Sequence, residues 1–250
     1  MLYSFLGGNF SDSVQLSERE SHHLISVRRG KVGESVTVLN GNGGIATGVI
    51  DIADPSRAVI RVLNRQEVQR QGAPLYLAQA MPLGKTMDVI VQKAAELGAV
   101  RIIPLVTERS ELRLDAERTA KKLEKWKQEA VEAVKQCGNP FMPSLSHPVS
   151  LEELCRMTLP KLRLVCSLEA NPQPYLATLL DEDIRDGVLI AIGPEGDFTP
   201  SEYRLFRETG FLPVTLGPLV LRSDTAATTA LAIAAEATRM KLSQSARAFA

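Results

Sequence analysis

Residues 191–203 read AIGPEGDFTPSEY. The stretch leaves an apolar run, turns on two glycines and a proline, and enters a helix start within a few residues. Thr199 has N-cap chemistry, Pro200 suits the first helical position, and Glu202 stands three residues after the cap, the spacing of a capping box. The reading is a strand, a tight turn and a helix. Gly193 and Gly196 serve either as left-handed turn residues or as points where the backbone comes close to a ligand.

The same alternation runs outward in both directions. LYLAQAM (75–81), AVRIIPLV (99–106), KLRLVCS (161–167), GVLIAIG (187–193) and LPVTLG (212–217) are apolar runs of strand length. Between them lie helical patterns: TMDVIVQKAAELG (86–98), then DAERTAKKLEKWKQEAVEAVKQCG (115–138), where Leu123, Trp126, Ala130 and Val134 share one face. A last helix begins near Ser223 and is rich in small residues, which permit close packing against the sheet or a second subunit. Strands alternating with helices predict a mostly parallel α/β sheet covered on both faces.

Upstream of residue 72 the pattern is different. ESVTVL (34–39), IATGVIDI (45–52) and RAVIRVL (57–63) are β-rich runs separated by NGNGG (40–44) and ADPS (53–56). The chain therefore reads as two domains, a small β-barrel or sandwich over 1–72 and the α/β domain over 73–250.

Composition narrows the function. A hydrophobic fraction of 44% and a charged fraction of 23% are those of an ordinary globular protein. The most apolar helical stretch is interrupted by Glu236 and Arg239, well short of the roughly 20 apolar residues that a bilayer demands. No secretory signal pattern opens the chain. Cys137, Cys155 and Cys166 make no CxxC pair, which suits a reducing cytosol. His22, His23 and His147 are the only histidines, and the absence of HExxH or a Cys/His cluster predicts no metal site. Net charge is +0, so a global positive field does not hold this chain to nucleic acid, although local basic patches remain open.

In open α/β sheets, ligands collect beyond the C-terminal ends of the strands. Three such ends carry unusual loops here: SLEANP (167–172), GPEGDFTPSE (193–202) and GPLVLRSDT (217–225). Neither a GxGxxG nor a Walker pattern is present, so no phosphate cradle is indicated. The repeated Gly-Pro turn in the second and third loops predicts one shared pocket.

These residues carry a family resemblance. IGPEGDFTPSE, LGPLVLRSDTAATTAL, QKAAELGAVRIIPLVTERS and HHLISVRRGKVGESVTVLNGNGG, in that family's order along residues 20–240, resemble the bacterial small-subunit ribosomal RNA uridine-N3 methyltransferases of the SPOUT superfamily. The resemblance implies a PUA-like β-barrel domain that helps hold RNA, followed by a parallel-sheet SPOUT-type domain with a trefoil knot that binds S-adenosylmethionine in a homodimer. It further implies cofactor contacts from Leu168 in the first loop, from Gly193, Pro194 and Gly196 in the second, and from Leu216, Gly217, Leu219 and Leu221 in the third. Their apolar character suits adenine and ribose, which need an apolar slot with a few polar partners.

Four positions depart from the family pattern. Members usually carry Gly at Asp197, Arg at Leu219 and Glu at Asp224, and an Arg commonly stands at Asn139, after QCG. The two absent arginines bear on RNA contacts, for which Arg222, Lys85 or Arg109 can compensate.

The chemistry implied is methylation of uracil N3, which carries a proton and lies on the pairing edge. The base must be unpaired or flipped out, and its deprotonation needs a base or a cation that stabilises the imidate. Arg222 is the candidate for steadying the uracil oxygen or a phosphate, and Asp224 for orienting Arg222 or accepting the proton. Without that reading, the two are an ion pair at the start of the last helix. His22, His23, Arg28, Arg29, Lys31, Lys85 and Arg109 are candidate RNA contacts. A methyltransferase with another RNA target, and a silent RNA-binding module that kept the fold, are the alternatives.

Overall fold

The structure is a computed structural model that describes residues 2–110, 115–169 and 171–248, the side chains of 244–248 excepted. Met1–Arg70 and Val131–Met142 form one compact unit; Gln71–Ala130 and Pro143–Ala250 form the other.

The first unit holds β1 (Leu2–Phe5), β2 (Ser13–Gln15), the short helix α1 (Glu18–His22), β3 (Ser35–Leu39), β4 (Gly44–Ile52) and β5 (Val59–Glu67). Its sheet runs in the order β1-β3-β4-β5-β2, with β1 parallel to β3 and the other pairs antiparallel. Strands β3 to β5 coincide with the three β-rich runs. Their first turn forms because Asn40 Oδ1 accepts the backbone N–H groups of Asn42 and Gly44, each at 2.8 Å, while Gly41 and Gly43 take φ values of 81° and 101°. At the bulge between Thr47 and Gly48, a Cβ on Gly48 would lie 2.3 Å from the Arg61 carbonyl oxygen. Val36, Val38, Ala46, Ile50 and Ile60 form the core with Val14, Leu16 and Leu24. β1 and the π-helical turn His23–Val27 escape the sequence reading, because a four-residue strand pairing with a distant partner carries no local signature.

The second unit contains a sheet of parallel pairings in the order β11-β13-β10-β12-β6-β7-β8, with β9 also on β7. In chain order its elements are β6 (Leu75–Ala80), α2 (Thr86–Glu96), β7 (Arg101–Val106), α3 (Ala116–Cys137), β8 (Ser144–Leu145), β9 (Val149–Ser150) and α4 (Leu151–Arg156). Then follow β10 (Leu162–Cys166), β11 (Gln173–Pro174), α5 (Tyr175–Asp181), β12 (Val188–Ile192), α6 (Pro200–Glu208), β13 (Leu212–Thr215) and α7 (Ser223–Ala248). Every residue of β12 is buried, as expected of a strand covered on both faces. Ala78, Ala80, Leu189 and Ala191 meet Leu151 and Leu154 of α4 and Tyr203 and Phe206 of α6. Gln79, of the opposite parity, reaches Ser223 at the start of α7.

Helix α3 has the buried stripe that the periodicity predicts, with Leu123, Trp126, Ala130 and Val134 all nearly inaccessible. Its last two turns count with the first unit. There Lys135 Nζ lies 2.8 Å from both Glu20 Oε1 and Glu132 Oε1, and Glu20 Oε2 accepts the Ser4 hydroxyl at 2.8 Å and the Phe5 N–H at 2.9 Å. The Lys135 and Glu20 side chains are 4% and 6% exposed, so this ion pair is buried and fully hydrogen-bonded.

Candidate active site

Strands β13, β10 and β12 are consecutive neighbours, so the loops leaving their C-terminal ends converge although they are far apart in sequence. Between them opens a cavity of about 310 Å³. Leu168 comes from the first loop, Gly193 and Pro194 from the second, and Leu216, Gly217, Leu219 and Leu221 from the third; Arg222 and Asp224 stand at its edge. Seven of the eight residues proposed for a cofactor thus line one space. The eighth, Gly196, does not line it: its carbonyl accepts the Arg109 guanidinium at 2.5 Å.

The second loop is fixed by hydrogen bonds. Thr199 and Glu202 form the expected capping box, with the Thr199 N–H donating to Glu202 Oε2 at 2.8 Å and the Glu202 N–H donating to Thr199 Oγ1 at 3.3 Å. Glu202 Oε1 also accepts the Glu108 N–H at 2.8 Å, and Glu195 Oε1 accepts the Leu83 N–H at 3.1 Å. The left-handed residue of the turn is neither glycine but Asp197, at φ 59°, whose N–H donates to the Pro194 carbonyl at 3.0 Å. Asp is among the few side chains that tolerate this conformation.

Tyr203, on α6, clasps two loops. Its hydroxyl donates to Asp197 Oδ1 at 2.8 Å and accepts the Leu168 N–H at 3.4 Å. Burial, with the adjacent Asp197 carboxylate adding to it, pushes the phenol well above its ordinary pKa, so it serves as a neutral donor. Its ring meets Phe198 edge-on at 5.7 Å, and Phe198 meets Phe206 at 4.8 Å. No motif pointed to Tyr203; the only signal was Asp in place of Gly six residues before an aromatic.

The third loop is open. Gly217 sits at φ 138° with no atom within 4 Å of where a Cβ would be, and Leu219 and Val220 are each 75% exposed. Arg222 is exposed, its Nε 3.8 Å from Asp224 Oδ1. Ser223, buried beside them, receives the Gln79 Nε2–H at 3.0 Å, while Gln79 Oε1 has no partner among the described residues. Desolvation pushes the Cys166 thiol on the cavity wall up to about 12, although the residue as a whole is partly exposed.

The candidate RNA contacts fall in both units. Lys85 is exposed at the N-cap of α2, and Arg109 is engaged with Gly196. In the first unit, His22, Arg28 and Arg29 are exposed, and Arg29 takes a φ of 59°. His23 is partly buried, its Nδ1 3.3 Å from Lys135 Nζ. Among the described residues no group of His, Cys, Asp and Glu could hold a metal ion, and no helix is long and apolar enough to cross a membrane.

An RNA methyltransferase domain profile matches residues 69–235, and an RNA methyltransferase PUA domain profile matches residues 16–63. A protein of Synechocystis named ribosomal RNA small subunit methyltransferase E is 31% identical over 223 residues, covering 88% of this chain and 72% of that one. The chain belongs to the bacterial small-subunit ribosomal RNA methyltransferase family of the SPOUT superfamily. Solved members share its fold. A methyltransferase from Legionella pneumophila in complex with S-adenosylmethionine superposes with a TM-score of 0.88 at 34% identity, covering 94% of this chain and 97% of that one. A ribosomal RNA small subunit methyltransferase E from Neisseria gonorrhoeae bound to S-adenosylmethionine gives 0.83 at 27%, covering 93% and 95%. The parallel sheet with its preceding PUA-like domain is the family fold.

Proposed function

We propose that this protein is an S-adenosylmethionine-dependent methyltransferase that methylates N3 of a uridine in small-subunit ribosomal RNA. The cavity at the ends of β10, β12 and β13 carries the reading. Its residues fit the cofactor: Leu216, Leu219 and Leu221 offer an apolar wall, and the open side of Gly217 leaves room for a flat ring against the backbone. When bound, the cofactor supplies a methyl group already activated on a sulfonium. What remains for the protein is to align the uracil, exclude water and manage the N3 proton.

Arg222 and Asp224 are the residues proposed for those tasks. Arg222, on the cavity rim, is free to reach a base or phosphate, and its charge stabilises the anion left when N3 gives up its proton. Asp224 at 3.8 Å orients that guanidinium or receives the proton. His22, His23, Arg28, Arg29, Lys85 and Arg109 are the proposed RNA contacts. A trefoil knot, a homodimer and a cytoplasmic location complete the proposal; exposed Leu219 and Val220 support a second subunit over the third loop.

The purified protein, incubated with labelled cofactor and unmodified 30S subunits, should transfer label that nucleoside mass spectrometry recovers as N3-methyluridine. Label in another nucleoside would replace this target. Failure to bind the cofactor would leave an RNA-binding module.

A further inference from the structure

The carboxylate of Asp197 lines the cavity, and among the described residues no cationic side chain forms an ion pair with it. Three carboxylates face that space: Glu195, Asp197 and Asp224. Glu195 accepts the Leu83 N–H, and Asp224 lies beside the Arg222 guanidinium. The Asp197 side chain accepts the neutral Tyr203 hydroxyl through Oδ1, and among the described residues no cation pairs with it, the Arg109 guanidinium being engaged by the carbonyl of the adjacent Gly196. Its Oδ1 would lie 3.1 Å from a Cβ built on Gly193, so the side chain folds back over the turn instead of pointing into bulk water. It is partly buried, with Phe198 and Tyr203 packed edge to face behind it. Low-dielectric surroundings lengthen the reach of a charge held in this way. The turn also precedes the N-terminus of α6, whose dipole favours a negative charge there.

We infer that Asp197 makes the cavity select positively charged adenosyl ligands over neutral ones. The inference rests on the cavity being the cofactor site. S-adenosylmethionine carries a sulfonium and an ammonium against one carboxylate. S-adenosylhomocysteine, the product left after methyl transfer, lacks the sulfonium and is neutral overall. An unneutralised carboxylate on the wall favours the first and not the second, so Asp197 tunes donor uptake against product retention. A residue needed only for the turn would not do so: Asn also tolerates the left-handed conformation, and Gly adopts it without strain.

The test is calorimetric binding to the full chain. S-adenosylmethionine and the cationic analogue sinefungin are compared with the neutral S-adenosylhomocysteine and methylthioadenosine, in wild type, Asp197→Asn and Asp197→Gly, with thermal melts confirming that each variant folds. Asp197→Asn, which keeps an acceptor for the Tyr203 hydroxyl, should lose roughly tenfold in affinity for the two cationic ligands and about twofold or less for the neutral ones, while Asp197→Gly, which also loses that hydrogen bond, should show the same cationic excess on top of a loss common to all four. A parallel loss for all four would overturn the inference and assign Asp197 to a group they share, such as the ribose. Unchanged affinities would reduce it to a turn residue. Should wild type bind none of the four, the cofactor site itself is wrong, a result distinct from either.

Discussion

The carboxylate of Glu202 accepts the backbone N–H of Glu108 at 2.8 Å through one oxygen, and through the other accepts the N–H of Thr199 at the same distance. One side chain therefore closes the cap of α6 and ties the loop after β7 to the loop after β12. Glu202→Ala leaves both N–H groups to water and should cost about 1–2 kcal/mol in urea unfolding. Its affinity for adenosyl ligands should fall with the loosened turn. Glu202→Gln, which keeps an acceptor, should lose less.

Tyr203→Phe removes the hydroxyl that joins Asp197 to Leu168 while keeping the ring against Phe198. The expected stability loss is about 1 kcal/mol. Calorimetry should show weaker binding of S-adenosylmethionine and S-adenosylhomocysteine alike, because both loops lose their clasp.

Arg222→Ala should abolish methyl transfer to 30S subunits and leave S-adenosylmethionine affinity near that of wild type, since the side chain is exposed on the cavity rim. Single-turnover transfer alongside equilibrium binding separates the two. Surviving activity would remove Arg222 from the mechanism.

The buried Lys135–Glu20 pair makes the first unit sensitive to loss of either partner. Lys135→Met strands a buried carboxylate and should cost about 3–5 kcal/mol; the double variant Glu20→Gln with Lys135→Met should be milder because no charge is left unpaired. Denaturant titration of wild type, Lys135→Met, Glu20→Gln and the double variant gives the coupling directly.

Stability should fall on the alkaline side. Burial raises Cys166 from 9.0 to about 12 and also lifts Tyr203 and Tyr175 above 10.0. Below pH 9 these groups are protonated folded and unfolded, so they add no slope. Above it the unfolded chain releases protons that the folded chain retains, and stability drops as pH rises. Melting temperatures measured from pH 8 to 11 should decline, with a shallower fall between 9 and 10 in Cys166→Ala. An unchanged slope would mean the thiol is not desolvated.

Much of the site was legible because its signals are local. The Thr199–Glu202 capping box needs only two residues at a fixed spacing, and the apolar stripe through Trp126 needs only the helical period. The loop residues Leu168, Pro194 and Leu216 were found by family resemblance, and all three line the cavity. Gly196 lies outside the cavity lining, and a Gly in a turn says nothing about which way the turn faces. Tyr203, Glu108 and Gln79 went unseen, since each has a partner distant along the chain: Leu168 35 residues away, Glu202 94 residues away and Ser223 144 residues away.

By itself the sequence determined the order of the longer strands and helices, the change of pattern near residue 72 and the three turn-rich loops, because periodicity, caps and turn chemistry act over a few neighbouring residues. Tertiary structure alone decided that β13, β10 and β12 lie side by side, bringing those loops around one cavity. It also decided that Asp197, not Gly193 or Gly196, takes the left-handed position. The first depends on the edges of strands remote in sequence, which no local propensity encodes; the second depends on which residue of a short turn closes onto the Pro194 carbonyl, a choice that three candidates at positions 193, 196 and 197 leave open until the turn is packed.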